Sequence, residues 1–215
     1  MPAFRTLILV YSDSLPTTTR YSRLEKILNN NTNTHYKIRI AGLERSLPLL
    51  EIESGISIAI LNILGDTELV EAAAGALAEK LASTPCDVLI TAEAKSIPLI
   101  HALSVAMGKP YVVLRKEYKT YMGDALSAQT VSITTGKLRT LYLDAKDKIR
   151  LDGTDVVIVD DVISTGSTLE GLREVVRQAG GHISAEAAIA TEGDQQRWQD
   201  VVSLGHLPVF KGETR

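Results

Sequence analysis

The spacing of apolar positions changes character near residue 87. Downstream of it, short apolar runs alternate with amphipathic stretches. Strands are predicted at Val88–Thr91, Tyr111–Arg115, Val156–Val159 and Ile183–Ile189, and helices at Ile97–Met107 and Leu169–Ala179. That alternation describes an α/β chain with a parallel sheet flanked by helices on both faces. The run Val156–Val159 consists of four β-branched residues, as suits a strand buried on both sides. An apparent hairpin, Gln129–Thr134 and Leu138–Leu143 about Gly136, interrupts the rhythm.

Upstream the pattern is different. Phe4–Tyr11 reads as a strand and Thr19–Leu28 as a short helix, followed by a polar break at Asn29–Asn33. Short strands follow at Tyr36–Ile40, Leu47–Ile52 and Ile56–Leu61, with turns at Gly42 and Gly55. Asp66 opens a helix to Leu81 that carries Leu69, Val70, Ala73, Leu77 and Leu81 on one face. After Glu192, a helix is predicted over Gln195–Leu204 and a last strand over Leu207–Phe210. No internal repeat is present, and no linker is long enough to separate independent domains. Residues 1–215 therefore read as a single domain, with a core over 66–192 and a small lobe made of 1–65 plus the C-terminal tail.

Composition narrows the class. With 215 residues and 45% hydrophobic content, the chain can bury one substantial core. A net charge of −3, without a long Lys/Arg block, argues against extended nucleic-acid binding. The single cysteine, Cys86, allows no internal disulfide and reads as a small buried hydrophobe. No apolar run is long enough to span a bilayer, and the N-terminus lacks the pattern of a signal peptide. The expectation is a cytoplasmic protein without a membrane partner.

The chemistry concentrates after Val159. Two carboxylates, Asp160 and Asp161, precede a glycine- and hydroxyl-rich loop, Ser164-Thr165-Gly166-Ser167-Thr168, which leads into a helix. Ser167 and Glu170 have the form of a capping box, so the helix is expected to start there. A loop opening a helix offers free N–H groups and the positive end of the helix dipole, which together cradle a phosphate. Two acids beside a phosphate would repel it unless the ligand also brings hydroxyls and a cation. Ribose 5-phosphate with a divalent ion meets that description. A nucleotide P-loop is disfavoured because the loop contains no lysine followed by Ser or Thr.

In open α/β sheets, ligands gather beyond the carboxyl ends of the strands. Two further loops lie there. Ala94, Lys95 and Ser96 stand between a strand and a helix whose first turn holds Pro98; Arg115, Lys116 and Lys119 follow the next strand. The first, with a lysine, a hydroxyl and free helix N–H groups, is suited to a second anion; the second is marked by its position after a strand end.

Taken together, the segment Val156–Thr168 resembles the phosphoribosyl pyrophosphate (PRPP) signature of the type I phosphoribosyltransferases. The likeness runs from about Ile56 to Glu192 and lies nearest the adenine/xanthine group of purine enzymes. The resemblance implies that family's fold, including a flap hairpin and a small hood lobe. It implies that Asp160 and Asp161 face the ribose hydroxyls as catalytic residues and hold magnesium, directly or indirectly. It places the 5-phosphate on Ser164, Thr165, Gly166, Ser167 and Thr168, and pyrophosphate on Ala94, Lys95, Ser96, Arg115, Lys116 and Lys119.

Lys137 and Arg139 would belong to the flap, which excludes water from the reactive sugar. The glutamate that adenine enzymes usually carry before the Gly–Lys turn is replaced by Thr134, which weakens an adenine assignment. Asn62 would contact the base in a xanthine-type hood, or else serve as a turn residue before Gly65 and Asp66. Thr191-Glu192-Gly193 flanks another strand end, and the helical context of Trp198 suggests core or interface packing. The implied activity is transfer of phosphoribose from PRPP to a purine base, with magnesium, in a homodimer. The alternative is a PRPP-sensing regulator of the same fold without turnover; a pyrimidine-directed transferase is a distant third.

Overall fold

Residues 35–131 and 138–211 are described by a computed structural model of the chain. The strand and helix expected over Phe4–Tyr11 and Thr19–Leu28 lie outside the described residues, as does the hairpin tip. Five strands form an all-parallel sheet: β4 (Val88–Ala92), β5 (Tyr111–Leu114), β8 (Asp155–Ile163), β9 (His182–Glu192) and β10 (Val202–Leu207), in spatial order β10-β9-β8-β4-β5. β8 lies at its centre and is buried on both faces, because its period of two sends alternate side chains into two separate cores. Val157 and Val159 pack with Leu69, Leu77, Leu99 and Leu103 of helices α1 (Thr67–Lys80) and α2 (Ile97–Met107). Val156 and Ile158 pack on the other face with Leu169, Leu172, Val175 and Val176 of a later helix, α4 (Ser167–Gln178). Each such side chain, fully removed from water, contributes about 2 kcal/mol.

Four more strands form an antiparallel sheet in the order β1 (His35–Ile40), β2 (Leu43–Glu53), β3 (Ile56–Ala59) and β11 (Val209–Lys211). The C-terminal strand thus enters the same sheet as residues 35–59. Arg45 of β2 ties this sheet to α1: its Nε and Nη2 donate to Asp66 at 2.7 and 2.9 Å, and Nη2 also reaches Glu68 at 2.8 Å. Asp66 in turn accepts from Leu69 N at 3.1 Å and so caps the helix. Strands β6 (Leu126–Val131) and β7 (Leu138–Leu143) form a separate hairpin; Ala128, Leu141 and Leu143 bury against the α4 side of the sheet. A single turn, α3 (Lys148–Leu151), leads into β8.

Three expectations need correction. Residues 195–204 do not form a helix. Gln195–Trp198 make one 3₁₀ turn, and β10 follows, paired in parallel with the open edge of β9. The strand that carries the acids extends past Val159 to Ile163, so Asp160 and Asp161 lie within it. The capping box does not form: Gly166, left-handed at φ 82°, occupies the N-cap, no side chain caps α4, and Glu170 pairs with Arg173 at 2.7 Å. No helix among the described residues is long and apolar enough to cross a membrane.

Candidate active site

β4 continues through α2 to β5 on one side, whereas β8 continues through α4 to β9 on the other. The loops leaving β4 and β8 therefore diverge, and a crevice opens between them at the carboxyl ends of both strands. Pairing of β4 with β8 ends at Ile90–Ile158, two residues before the acids. Beyond that point, Ser96 replaces the missing strand. Its hydroxyl donates to Asp160 Oδ1 at 2.6 Å, accepts from Asp161 N at 3.0 Å and lies 3.1 Å from Asp161 Oδ1.

Both acids are buried. Burial, reinforced by the neighbouring Asp161 charge, pushes the Asp160 carboxyl up to about 7. Lys95 Nζ stands 2.6 Å from Asp161 Oδ2, an ion pair lacking hydrogen-bond geometry, and donates to Leu61 O at 3.3 Å. Two buried carboxylates, one with an oxygen that accepts no hydrogen bond, fit a hard divalent ion that arrives mainly on its ligand's own oxygens. No group of three or more acidic, histidine or cysteine side chains among the described residues forms a complete metal cage.

The loop after β8 is shaped for an anion. Backbone N–H groups of Thr165, Gly166, Ser167 and Thr168 find no protein acceptor among the described residues, and the first helical bond runs from Glu170 N to Gly166 O at 2.9 Å. The absent cap leaves these donors and the helix dipole open to a ligand. A cavity of about 480 Å³ is lined by residues 164–168, Asp160, Glu192, Arg139, Ile52 and Ile58. A second cavity of about 410 Å³ shares Asp160, Ser164, Thr168, Arg139 and Glu192, and adds Asp161, Ala94, Lys95, Ser96 and Lys116. Shared walls make these one elongated crevice, with the N–H cradle at one end and cationic side chains at the other.

The remaining residues singled out in the sequence divide. Lys116 and Arg139 line the crevice. Arg115 instead sits beside Glu93, Nε to Oε2 at 2.6 Å, while Glu93 Oε1 accepts from Lys116 N at 2.7 Å. Lys119 pairs with Glu117 at 2.8 Å and lines neither cavity. Asn62 is exposed; its Oδ1 accepts from Leu64 N at 3.3 Å, a turn-forming bond, and its side chain lines neither cavity. Lys137 lies outside the described residues, and so does Thr134.

Glu93 was not singled out, although its position one residue after β4 was a usable signal. It joins the two loops that flank the cationic end; its peptide bond to Ala94 is cis. Cys86 is buried, and burial raises its thiol pKa, which leaves it poorly suited to be a nucleophile.

Comparison with known proteins accords with this geometry. Residues 61–201 match the family model described as phosphoribosyl transferase domain. The chain belongs to that family. Among phosphoribosyl transferase relatives, the hypoxanthine/guanine phosphoribosyltransferase of Methanococcus maripaludis (strain C7) is 37% identical over 117 residues, 54% of this chain and 60% of that protein. The chain therefore spans about three-fifths of that relative's length. The protein of the same name from Methanococcus vannielii is 37% identical over 142 residues, covering 63% of this chain and 73% of the relative.

Among solved structures, the adenine phosphoribosyltransferase of Thermoanaerobacter pseudethanolicus superposes with a TM-score of 0.60 at 22% identity, covering 85% of this chain and 99% of that one. The Giardia lamblia enzyme, complexed with 9-deazaadenine, gives 0.58 at 19%, covering 80% and 93%. At these identities the superpositions establish the shared fold: a phosphoribosyl transferase α/β architecture with a central parallel sheet.

Proposed function

We propose that this phosphoribosyl transferase is a purine enzyme that joins the 5-phosphoribosyl group of PRPP to hypoxanthine or guanine and releases pyrophosphate. The observation that carries the reading is the juxtaposition in one crevice of a buried acid pair and an uncapped helix N-terminus. Such a site holds ribose hydroxyls and a 5-phosphate together.

The 5-phosphate takes the free N–H groups of residues 165–168 and the hydroxyls of Ser164, Ser167 and Thr168. Asp160 and Asp161 accept from the ribose hydroxyls, and together with ligand oxygens they would hold magnesium. That ion, when bound, supplies positive charge against the departing pyrophosphate. Lys95 and Lys116, with the backbone of Ala94 and Ser96, receive the pyrophosphate; Arg115 acts beside them through Glu93.

As the anomeric C–O bond breaks, positive charge grows on the sugar, and the two carboxylates stabilise it. A purine ring nitrogen then forms the new C–N bond and loses its proton to water. Arg139, on β7, lines the cavity and would belong to a cover over the sugar, and Ile52 and Ile58 would supply an apolar wall for the base.

The hypoxanthine/guanine preference rests on the names of the sequence relatives, and it displaces the adenine/xanthine grouping expected from local motifs. The replacement of the usual glutamate by Thr134 points the same way. Competition tests it: the protein, PRPP and magnesium are incubated with equimolar adenine, hypoxanthine, guanine and xanthine, and the nucleotides are separated by chromatography. Inosine and guanosine monophosphates should dominate. Adenosine monophosphate as the main product would overturn the base preference and leave the phosphoribosyl chemistry intact.

A further inference from the structure

The 3₁₀ turn Gln195–Trp198 lies outside the acid pair and its loop in sequence, yet it grips that loop. Arg197 Nη2 donates to Thr165 O at 3.0 Å, and the guanidinium stacks 4.6 Å from the centre of the Trp198 ring. Trp198 is buried, donates from Nε1 to Glu192 O at 3.2 Å and presses its ring edge against Gly166, where an added Cβ would stand 2.7 Å from Cη2. The Thr165–Gly166 peptide is trans, so its C=O and N–H point in opposite directions. With Thr165 O held by Arg197, Gly166 N–H is turned away from the guanidinium. The same turn holds Glu192, which also lines the cavity.

We infer that Arg197 and Trp198 are positioning residues that orient the Thr165–Gly166 peptide for the 5-phosphate. This rests on the phosphoribosyl reading for the identity of the anion, but it concerns only how the loop is held. Neither residue lines the cavity. Arg197 acts through Thr165 O, where a charged donor restrains the peptide, and Trp198 supports the guanidinium from beneath. Because Trp198 is the only tryptophan of the chain and touches Gly166, its fluorescence should report phosphate occupancy directly.

The experiment titrates ribose 5-phosphate into the full chain, following Trp198 emission and calorimetric heat, for wild type, Arg197→Ala and Arg197→Lys. Wild type should show a saturable emission change. Arg197→Ala should weaken ribose 5-phosphate about tenfold, the size expected for losing a hydrogen bond to a charged group. Arg197→Lys should recover part of the loss.

In turnover, Arg197→Ala should raise KM for PRPP while KM for the base stays put. Equal ribose 5-phosphate affinity in Arg197→Ala and wild type would overturn the positioning role and leave the phosphoribosyl reading standing. A parallel rise in both KM values with a lowered Tm would also overturn it, by marking Arg197 as a general structural residue. Arg197-dependent binding without nucleotide formation would support the clamp while removing the transferase reading. No binding of ribose 5-phosphate by wild type would remove the phosphate assignment and the clamp together.

Discussion

Asp160 is a residue whose environment opposes its own charge. It is buried beside a second carboxylate, with one hydroxyl, Ser96, and one backbone N–H, Asp161 N, close to the same oxygen. Its folded pKa is therefore raised from the ordinary carboxylate value to about 7. For a raised group, the stabilising contribution is fully present below the unfolded pKa, near 4, and is lost as pH rises through the folded value.

Ligand-free protein should thus lose stability between about pH 4 and pH 7 through this group. Asp160→Asn should remove that loss. The Tm difference, variant minus wild type, should grow more positive across that window by several degrees, since each kcal/mol moves Tm by about 2–4 °C at this size. Differential scanning fluorimetry at about pH 4 and pH 7 checks it; a constant difference would show that Asp160 does not carry the linkage. The identity of this residue was legible in the sequence as one half of an acid pair beside a phosphate loop. Its burial was not, because that depends on Ser96, 64 positions away, closing over it.

At the scale of elements, helices and strands marked by a segment's own apolar pattern were read correctly, whereas the segment 195–204, decided by a distant partner, was not. Helix α2 has the bounds that periodicity predicts, and α1 agrees within a residue, because each apolar stripe and the Asp66 cap are properties of the segment itself. The segment 195–204 looked helical because Trp198, Val201 and Val202 recur at helical spacing. The open edge of β9 recruited Val202–Leu207 as a strand instead. That choice is made by a partner that local periodicity does not reveal.

The capping-box reading failed for a related reason: Gly166, held left-handed by its contacts, takes the cap position and leaves Ser167 in the first turn. Gly166→Ala tests the element as a unit. The positive φ costs an L-residue about 1–2 kcal/mol, and the new methyl meets the buried Trp198 ring. Ribose 5-phosphate affinity should fall more than tenfold (about 1.4 kcal/mol) and Tm by a few degrees. Unchanged affinity by calorimetry would show that the loop's left-handed turn is not what presents its N–H groups.

Over the whole molecule, the site exists because the parallel sheet reverses its winding between β4 and β8. The antiparallel sheet, fastened to α1 through Arg45 and Asp66, sets Ile52 and Ile58 over the resulting crevice. Sheet order is not written in any single motif, yet the strand–helix alternation together with the acid-pair strand was enough to locate the crevice at carboxyl ends. Under the proposed function, base selection was less legible, because the walls of the crevice are brought together by β2, β3 and the end of β9 from distant parts of the chain.

The most direct measurement mixes purified protein, magnesium, PRPP and guanine, and quantifies guanosine monophosphate and pyrophosphate in the same sample. The result expected is both products in equal amounts, lost in Asp161→Asn protein that retains its fold. PRPP that binds but is recovered intact, with neither product formed, would contradict a transferase and identify the crevice as a PRPP-sensing site.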